Sequence, residues 1–151
     1  MAQPRWLNEH EQQFWRVYFG FFRGLETALT REVEKSGLSG AEYTVLVPLS
    51  ESPDGGIRAR DLCRQLGWDR TRLSHLARRM EGRGLVSRSA APDDARGSIV
   101  EITADGRRAI EDAAPAHVEA VRRHFIDHLD DQEIVTMTKV FRRLLDGLPP
   151  R

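Results

Sequence analysis

The clearest hydrophobic pattern in the chain lies between Leu73 and Met80, where Leu73, Leu76, Ala77 and Met80 recur at i, i+3, i+4 and i+7. That spacing places four apolar side chains on one stripe of an α-helix. Arg70, Thr71, Ser74, His75 and Arg78 fall off the stripe, which gives the helix a front of guanidinium, hydroxyl and imidazole groups. Asp69 supplies an N-cap. Gly84, followed by Leu85, supplies the left-handed stop and its hydrophobic follower. Upstream, 58–66 reads as a shorter helix with Leu62 and Leu66 facing inward, and Gly67 opens a tight turn between the two helices. Two short helices joined by such a turn form a helix-turn-helix. Downstream, 85–89 and 98–103 read as strands on either side of a polar tip at 90–97, and together they make a wing.

The flanks read as helices. Asn8 caps a long helix running to about Ser36 and ended by Gly37. Its apolar positions, from Phe14 and Trp15 through Phe22 to Val33, spread over too wide an arc for a helix buried on one face only. In a small chain the second partner is most simply another copy of itself. Ser39 and Glu42 form a capping box for the next helix. Pro48 inside that helix predicts a kink or an early end. Ile57 with its neighbours predicts a short third strand beside the wing, and Arg60 stands where a serine or threonine cap is expected for the helix at 58–66. Thr103 caps a helix expected to reach about Leu129, with a bend or break at Pro115. Asp130 and Glu133 repeat the capping box for a last helix carrying Ile134, Met137, Val140, Phe141, Leu144 and Leu145. The fold class is therefore mainly α with a small β wing. It is one domain over 1–151, with helical regions at 9–36 and 104–147 around a winged helix-turn-helix at 39–103.

Composition sharpens this picture in two places. The formal net charge is zero, but residues 58–96 carry ten basic and five acidic side chains, whereas the stretches before and after are acidic. A basic patch confined to the winged helix is the local footprint that phosphate binding needs. All but two of the 23 basic residues are arginine, which reflects coding bias as readily as adaptation. The single cysteine, Cys63, rules out an internal disulfide and a Cys-rich zinc site. With no long apolar run and no leader-like start, the expected location is the cytoplasm and no membrane association is expected.

On these grounds the helix at 70–82 is read as a recognition helix. Arg70, Thr71, Ser74, His75 and Arg78 are the side chains placed to reach base edges or phosphates of double-stranded DNA. Arg72 lies nearer the side of the helix and is included with them. Arg58, Arg60 and Arg88 are candidate phosphate clamps. Arg96, at the wing tip, suits a narrow minor groove, where concentrated negative potential attracts arginine.

With these residues in view, the chain resembles the MarR family of bacterial winged-helix transcriptional regulators. The resemblance rests on Asp94-Ala95-Arg96-Gly97, which matches the family's Asp-x-Arg-Gly wing tip. It rests also on the Ile102-Thr103 strand end with Asp105-Gly106 beyond it, and on the phrases at 72–81 and 84–88. It covers essentially the whole chain. It implies a homodimer built from the first and last two helices, a pseudo-palindromic operator, and most simply repression. By the same resemblance Asp94 holds Arg96 or a neighbouring arginine in position. A small, often phenolic or aromatic, effector is implied between the dimer helices and the winged helix; Trp15, Arg16, Tyr18, Tyr43 and His117 are candidates to line that pocket, against the plainer reading that these aromatics are core.

Other readings fall behind. A redox sensor using Cys63 is disfavoured, because family sensors place their cysteine near the amino-terminal helix and free cysteine commonly acts as a small buried hydrophobe. His124 and His128 are spaced i, i+4, but two histidines are a weak metal signal, so neither a metal nor another cofactor is expected. No Gly-rich phosphate loop, nucleophile elbow or His-Glu-x-x-His motif is present, so no enzyme is expected. An architectural or partner-binding winged helix that holds DNA loosely remains the alternative.

Overall fold

The computed structural model describes residues 3–92 and 94–149, those at 94–96 as backbone only. Helix α1 (Glu9–Glu34) starts on a complete capping box: the Glu11 amide donates to Asn8 Oδ1 at 2.9 Å, and the Asn8 amide donates to Glu11 at 2.8 Å. Gly37, with φ 84°, turns the chain into α2 (Gly40–Glu51), whose Ser39/Glu42 capping box is also complete. The early end expected at Pro48 does not occur. Proline at 48 has no amide to donate to the Thr44 carbonyl, yet the helix runs on to Glu51, and Val45, Leu46 and Leu49 are fully buried on either side of the proline. Core packing holds the helix where propensity alone argues against it.

Strand β1 (Gly56–Arg58) leads directly into α3 (Ala59–Leu66). The cap position of α3 falls on Arg58, two residues before the expected one, and no side chain caps it. Gly67, at φ 66°, and Asp69, which accepts the Arg72 amide at 2.8 Å, shape the turn into α4 (Arg70–Gly82). Leu73, Leu76, Ala77 and Met80 are the buried residues of α4, as the stripe predicts. Its end is a Schellman motif: the Gly84 amide bonds to the Glu81 carbonyl and the Leu85 amide to the Met80 carbonyl, both at 2.9 Å, with Gly84 left-handed at φ 73°.

Strands β2 (Val86–Ala91) and β3 (Asp94–Ile102) form the wing, and β1 pairs with the other side of β3 in an antiparallel order β1-β3-β2. The strands reach further toward the tip than their side-chain pattern suggests. Ala90 pairs with Ser98 and Ala91 with Asp94, so a bulge absorbs the residues between them. Backbone pairing needs no apolar alternation, and a solvated wing supplies none.

Helix α5 (Ala104–His124) runs unbroken through Pro115, which corrects the expected break, but it stops five residues short of Leu129. Phe125 leaves the helical region, and its ring packs against Phe21 of α1 with centroids 5.3 Å apart. A 3₁₀ turn at Ile126–His128 follows, held by an Arg122–Asp127 ion pair at 2.7 Å and a contact from His128 Nε2 to the Arg123 carbonyl. Helix α6 (Asp131–Asp146) begins on the Asp130/Glu133 capping box. The core lies where α2, α3, α4, the sheet and the first half of α5 converge, closed by Val33 at the end of α1. By contrast, α6 buries no residue in its own chain, and Phe14, Trp15, Val17, Phe21 and Phe22 of α1 stand exposed.

Candidate nucleic-acid interface

Because α4 packs its apolar back on α3 and the sheet, its polar front opens into a groove of about 370 Å³ facing the wing. Arg70, Thr71, Ser74, His75 and Arg78 line one side of that groove, and Arg88 and Ser98 of the wing line the other. A smaller recess continues it past the wing, where Arg58, Arg60 and Arg70 meet Gly97 and Ser98. Eight of the eleven nucleic-acid candidates thus share one continuous face. Asp94 and Arg96 belong to β3 by their backbone, and their side chains lie outside the described residues.

Three of the arginines differ in what holds them. Arg88 donates from Nε and Nη2 to one oxygen of Glu81, at 3.0 and 2.6 Å. That hydrogen-bonded charge holds the Glu81 carboxyl below its usual range. Arg60 sits 3.6 Å from Asp61. Arg72 turns away from the groove altogether. Two residues on from Arg70, it projects from the far side of α4, and its guanidinium stacks over Trp68, 3.9 Å from the ring centroid.

Arg72 and Trp68 form one wall of a second opening, a cleft of about 520 Å³ between α1, α2, α5 and the helix-turn-helix. Phe22 and Leu29 of α1 face them, with Tyr43 and His117 at the back. The Tyr43 and His117 rings lie 4.6 Å apart. His117 Nδ1 is buried and has no hydrogen-bond partner among the described residues, and burial pushes its pKa below the usual imidazole value. Of the five expected pocket residues, only Tyr43 and His117 meet here. Trp15 and Tyr18 sit on the same stripe of α1 as Phe22 but nearer its start; Trp15 is about 10 Å along the axis from Phe22 at 1.5 Å per residue. Their rings pack on Phe19 and on each other, and Arg16 donates to Gln12. Trp68 and Arg72 are among the lining residues not anticipated, with Phe22 and Leu29 of α1, and the i, i+4 spacing of Trp68 and Arg72 across the start of α4 was the available signal.

Cys63 is buried beneath the groove, and burial pushes its thiol pKa up, which disfavours the reactive thiolate. No helix among the described residues is long and apolar enough to cross a membrane.

Comparison with known proteins agrees with this architecture. A family model described as MarR family matches residues 36–97. AbsC, a MarR family transcriptional regulator from Streptomyces coelicolor, is 35% identical in sequence and superposes with a TM-score of 0.89 over 95% of this chain and 97% of its own. Sco3205, a MarR family regulator from the same organism solved in complex with DNA, is also 35% identical, with a TM-score of 0.92 over 97% of this chain and 93% of its own. The transcriptional regulator HosA of Escherichia coli O111:H- is 27% identical over 114 residues, 76% of this chain and 82% of that protein. With a winged helix matched by the family model and a 35% identical regulator matched over nearly its full length, this chain belongs to the MarR family of transcriptional regulators.

Proposed function

We propose that the protein is a homodimeric, sequence-specific DNA-binding repressor that acts in the cytoplasm, holds a pseudo-palindromic operator, and is released by a small aromatic or phenolic effector. The observation that carries the DNA reading is the groove between α4 and the wing. There Arg70, Thr71, Ser74, His75 and Arg78 stand side by side on a helix whose opposite face is locked in the core. A 35% identical regulator crystallised with DNA supports it. In this reading residues 39–103 bind DNA, while 9–36 and 104–147 build the dimer. Two recognition helices roughly 34–36 Å apart would then meet successive turns of one DNA face.

Footprinting of fragments selected from genomic DNA, across a salt series, tests the proposal. A protected site of roughly two helical turns with steep salt dependence supports it, and weak uniform binding at low salt overturns it. Arg78→Ala is expected to cost about 1–3 kcal/mol if Arg78 reads guanine, with loss confined to one operator position. A uniform loss with the salt slope reduced by about 1 would instead place Arg78 on phosphate. Arg96→Ala is expected to weaken operator binding while leaving the dimer intact; unchanged affinity would remove the wing from the interface.

The effector reading rests on the cleft. It joins two aromatic walls, a guanidinium and an imidazole nitrogen that has no partner among the described residues, at the root of the recognition helix. An occupant that pulls on Arg72 or Trp68 moves the first turn of α4. Thermal shift against a panel of aromatic carboxylates and phenols tests this. A true ligand at 100 times its Kd adds about 2.7 kcal/mol of stability, and His117→Phe is expected to abolish that shift while sparing DNA affinity.

A further inference from the structure

The far end of the recognition helix carries an ion pair that neither the DNA groove nor the cleft uses. Arg83, the residue that caps α4, places Nη1 2.7 and 2.6 Å from the two oxygens of Glu42, and donates from Nη2 to the Gly37 carbonyl at 2.9 Å. Glu42 is only 5% exposed, and its second contact is the Ser39 amide at 2.8 Å. A single guanidinium therefore ties the end of α4 to the turn that closes α1 and to the first turn of α2. On its other side the same end of α4 is tied to α5. Thr103 donates from Oγ1 to the Gly84 carbonyl at 2.5 Å, and its amide donates to the Leu85 carbonyl at 3.2 Å. The two helices reached in this way, α1 and α5, are two of the three assigned above to the dimer.

Only the carboxylate of this pair is buried, since the Arg83 side chain is 48% exposed; desolvation of Glu42 and solvent screening of the guanidinium leave the pair little net stability. Its best-attested use is to select one geometry over near neighbours. Arginine suits that task here because its rigid planar fork holds a carboxylate and a carbonyl in fixed directions, whereas the rotatable ammonium of a lysine on its flexible stem fixes neither.

We propose that the Arg83–Glu42–Gly37 clamp is the positioning device that fixes the angle of the recognition helix against the dimer helices, and so sets which half-site spacing the dimer accepts. The proposal rests on the operator-binding reading given above. Adding one base pair between half-sites shifts them by about 3.4 Å and rotates them by about 34°, so a rigid dimer discriminates strongly between spacings.

The test compares the wild-type protein with Arg83→Lys and Glu42→Gln on the selected operator and on versions lengthened or shortened by one base pair. Wild type is expected to prefer its best spacing by roughly tenfold or more, and both variants to fall to about threefold or less with little change at the best spacing. A variant that loses affinity equally on all spacings, or keeps the wild-type preference, overturns the clamp. If wild type selects no site at all, the operator reading itself fails. The clamp is then judged by the distance between nitroxides placed at H75C in a C63A background, in the absence of DNA. A distance distribution broader in R83K than in the otherwise wild-type protein upholds the positioning role. Equal widths, or no intermolecular distance, overturn it.

Discussion

Gly106→Ala is expected to cost the protein about 3 kcal/mol or more, although alanine inside a helix ordinarily gains about 1 kcal/mol over glycine. The sign reverses because of what lies beside the first turn of α5. A Cβ built on Gly106 meets the Leu85 carbonyl oxygen at 2.0 Å and Ile102 Cγ1 at 3.0 Å. The nearer atom belongs to the backbone, so no side-chain rotation relieves the clash. The only escape is to move Leu85, and Leu85 closes the Schellman motif of α4 and precedes the first wing strand. The Thr103 contacts to Gly84 and Leu85 would be lost in the same displacement. Operator affinity is therefore expected to fall together with stability. Gly82→Ala is the control: that residue lies in α4 with nothing within 4 Å of its added Cβ, so a gain of up to about 1 kcal/mol is expected. Urea unfolding at one fixed protein concentration reads both, since a dimer's stability depends on concentration. A Gly106→Ala protein as stable as wild type would show that the α4–α5 junction yields easily.

The other large effect is expected from Phe141→Glu combined with Leu144→Glu in α6. This helix has a complete N-terminal capping box but buries none of its residues within its own chain. Isolated helices of about this length are marginal in water even with good caps. Its apolar side chains Val135, Val140, Phe141, Leu144 and Leu145 are all exposed, as are Phe14, Trp15, Val17, Phe21 and Phe22 on α1. An apolar surface of that extent on two elements of one chain calls for a partner, and a second copy is the partner in the reading proposed above. Two carboxylates on this exposed apolar face are expected to produce a monomer by sedimentation. Binding free energy is shared between two half-sites, so a monomer keeps about half of it. A specific Kd near 10⁻⁹ M would rise to roughly 10⁻⁴ to 10⁻⁵ M, the range of non-specific binding. Retention of the dimer with full operator affinity would place the subunit interface elsewhere and leave the exposed faces unexplained.

The groove and the cleft differ in how far the linear chain discloses them. The groove is nearly all local. Arg70, Thr71, Ser74, His75 and Arg78 lie on one face because helical geometry puts them there once the stripe Leu73, Leu76, Ala77 and Met80 is buried. The cleft joins Tyr43, Trp68 and His117 from three separate elements, and no short-range pattern links them. Trp15 and Tyr18 fall outside the cleft for a related reason. They share a stripe with Phe22, and periodicity says which face a residue occupies but not where along the helix another element crosses it.

The same division runs through the whole molecule. Asn8, Ser39, Asp69, Thr103 and Asp130 each accept an amide three residues onward, and Gly84 needs only the preceding turn, so the sequence by itself determined where these helices begin and where α4 stops. The tertiary structure alone decided that α2 and α5 run through Pro48 and Pro115, because the packing on both sides of each proline outweighs one lost hydrogen bond. It also decided that α5 ends where Phe125 meets Phe21, that Arg72 leaves the groove for Trp68, and that Gly106 presses on Leu85. Arg83 and Glu42, 41 positions apart, are joined in the same way. Caps and stripes are satisfied within a turn or two of the chain, whereas these contacts exist only once whole helices have been packed together, and their partners are set by that packing rather than by spacing.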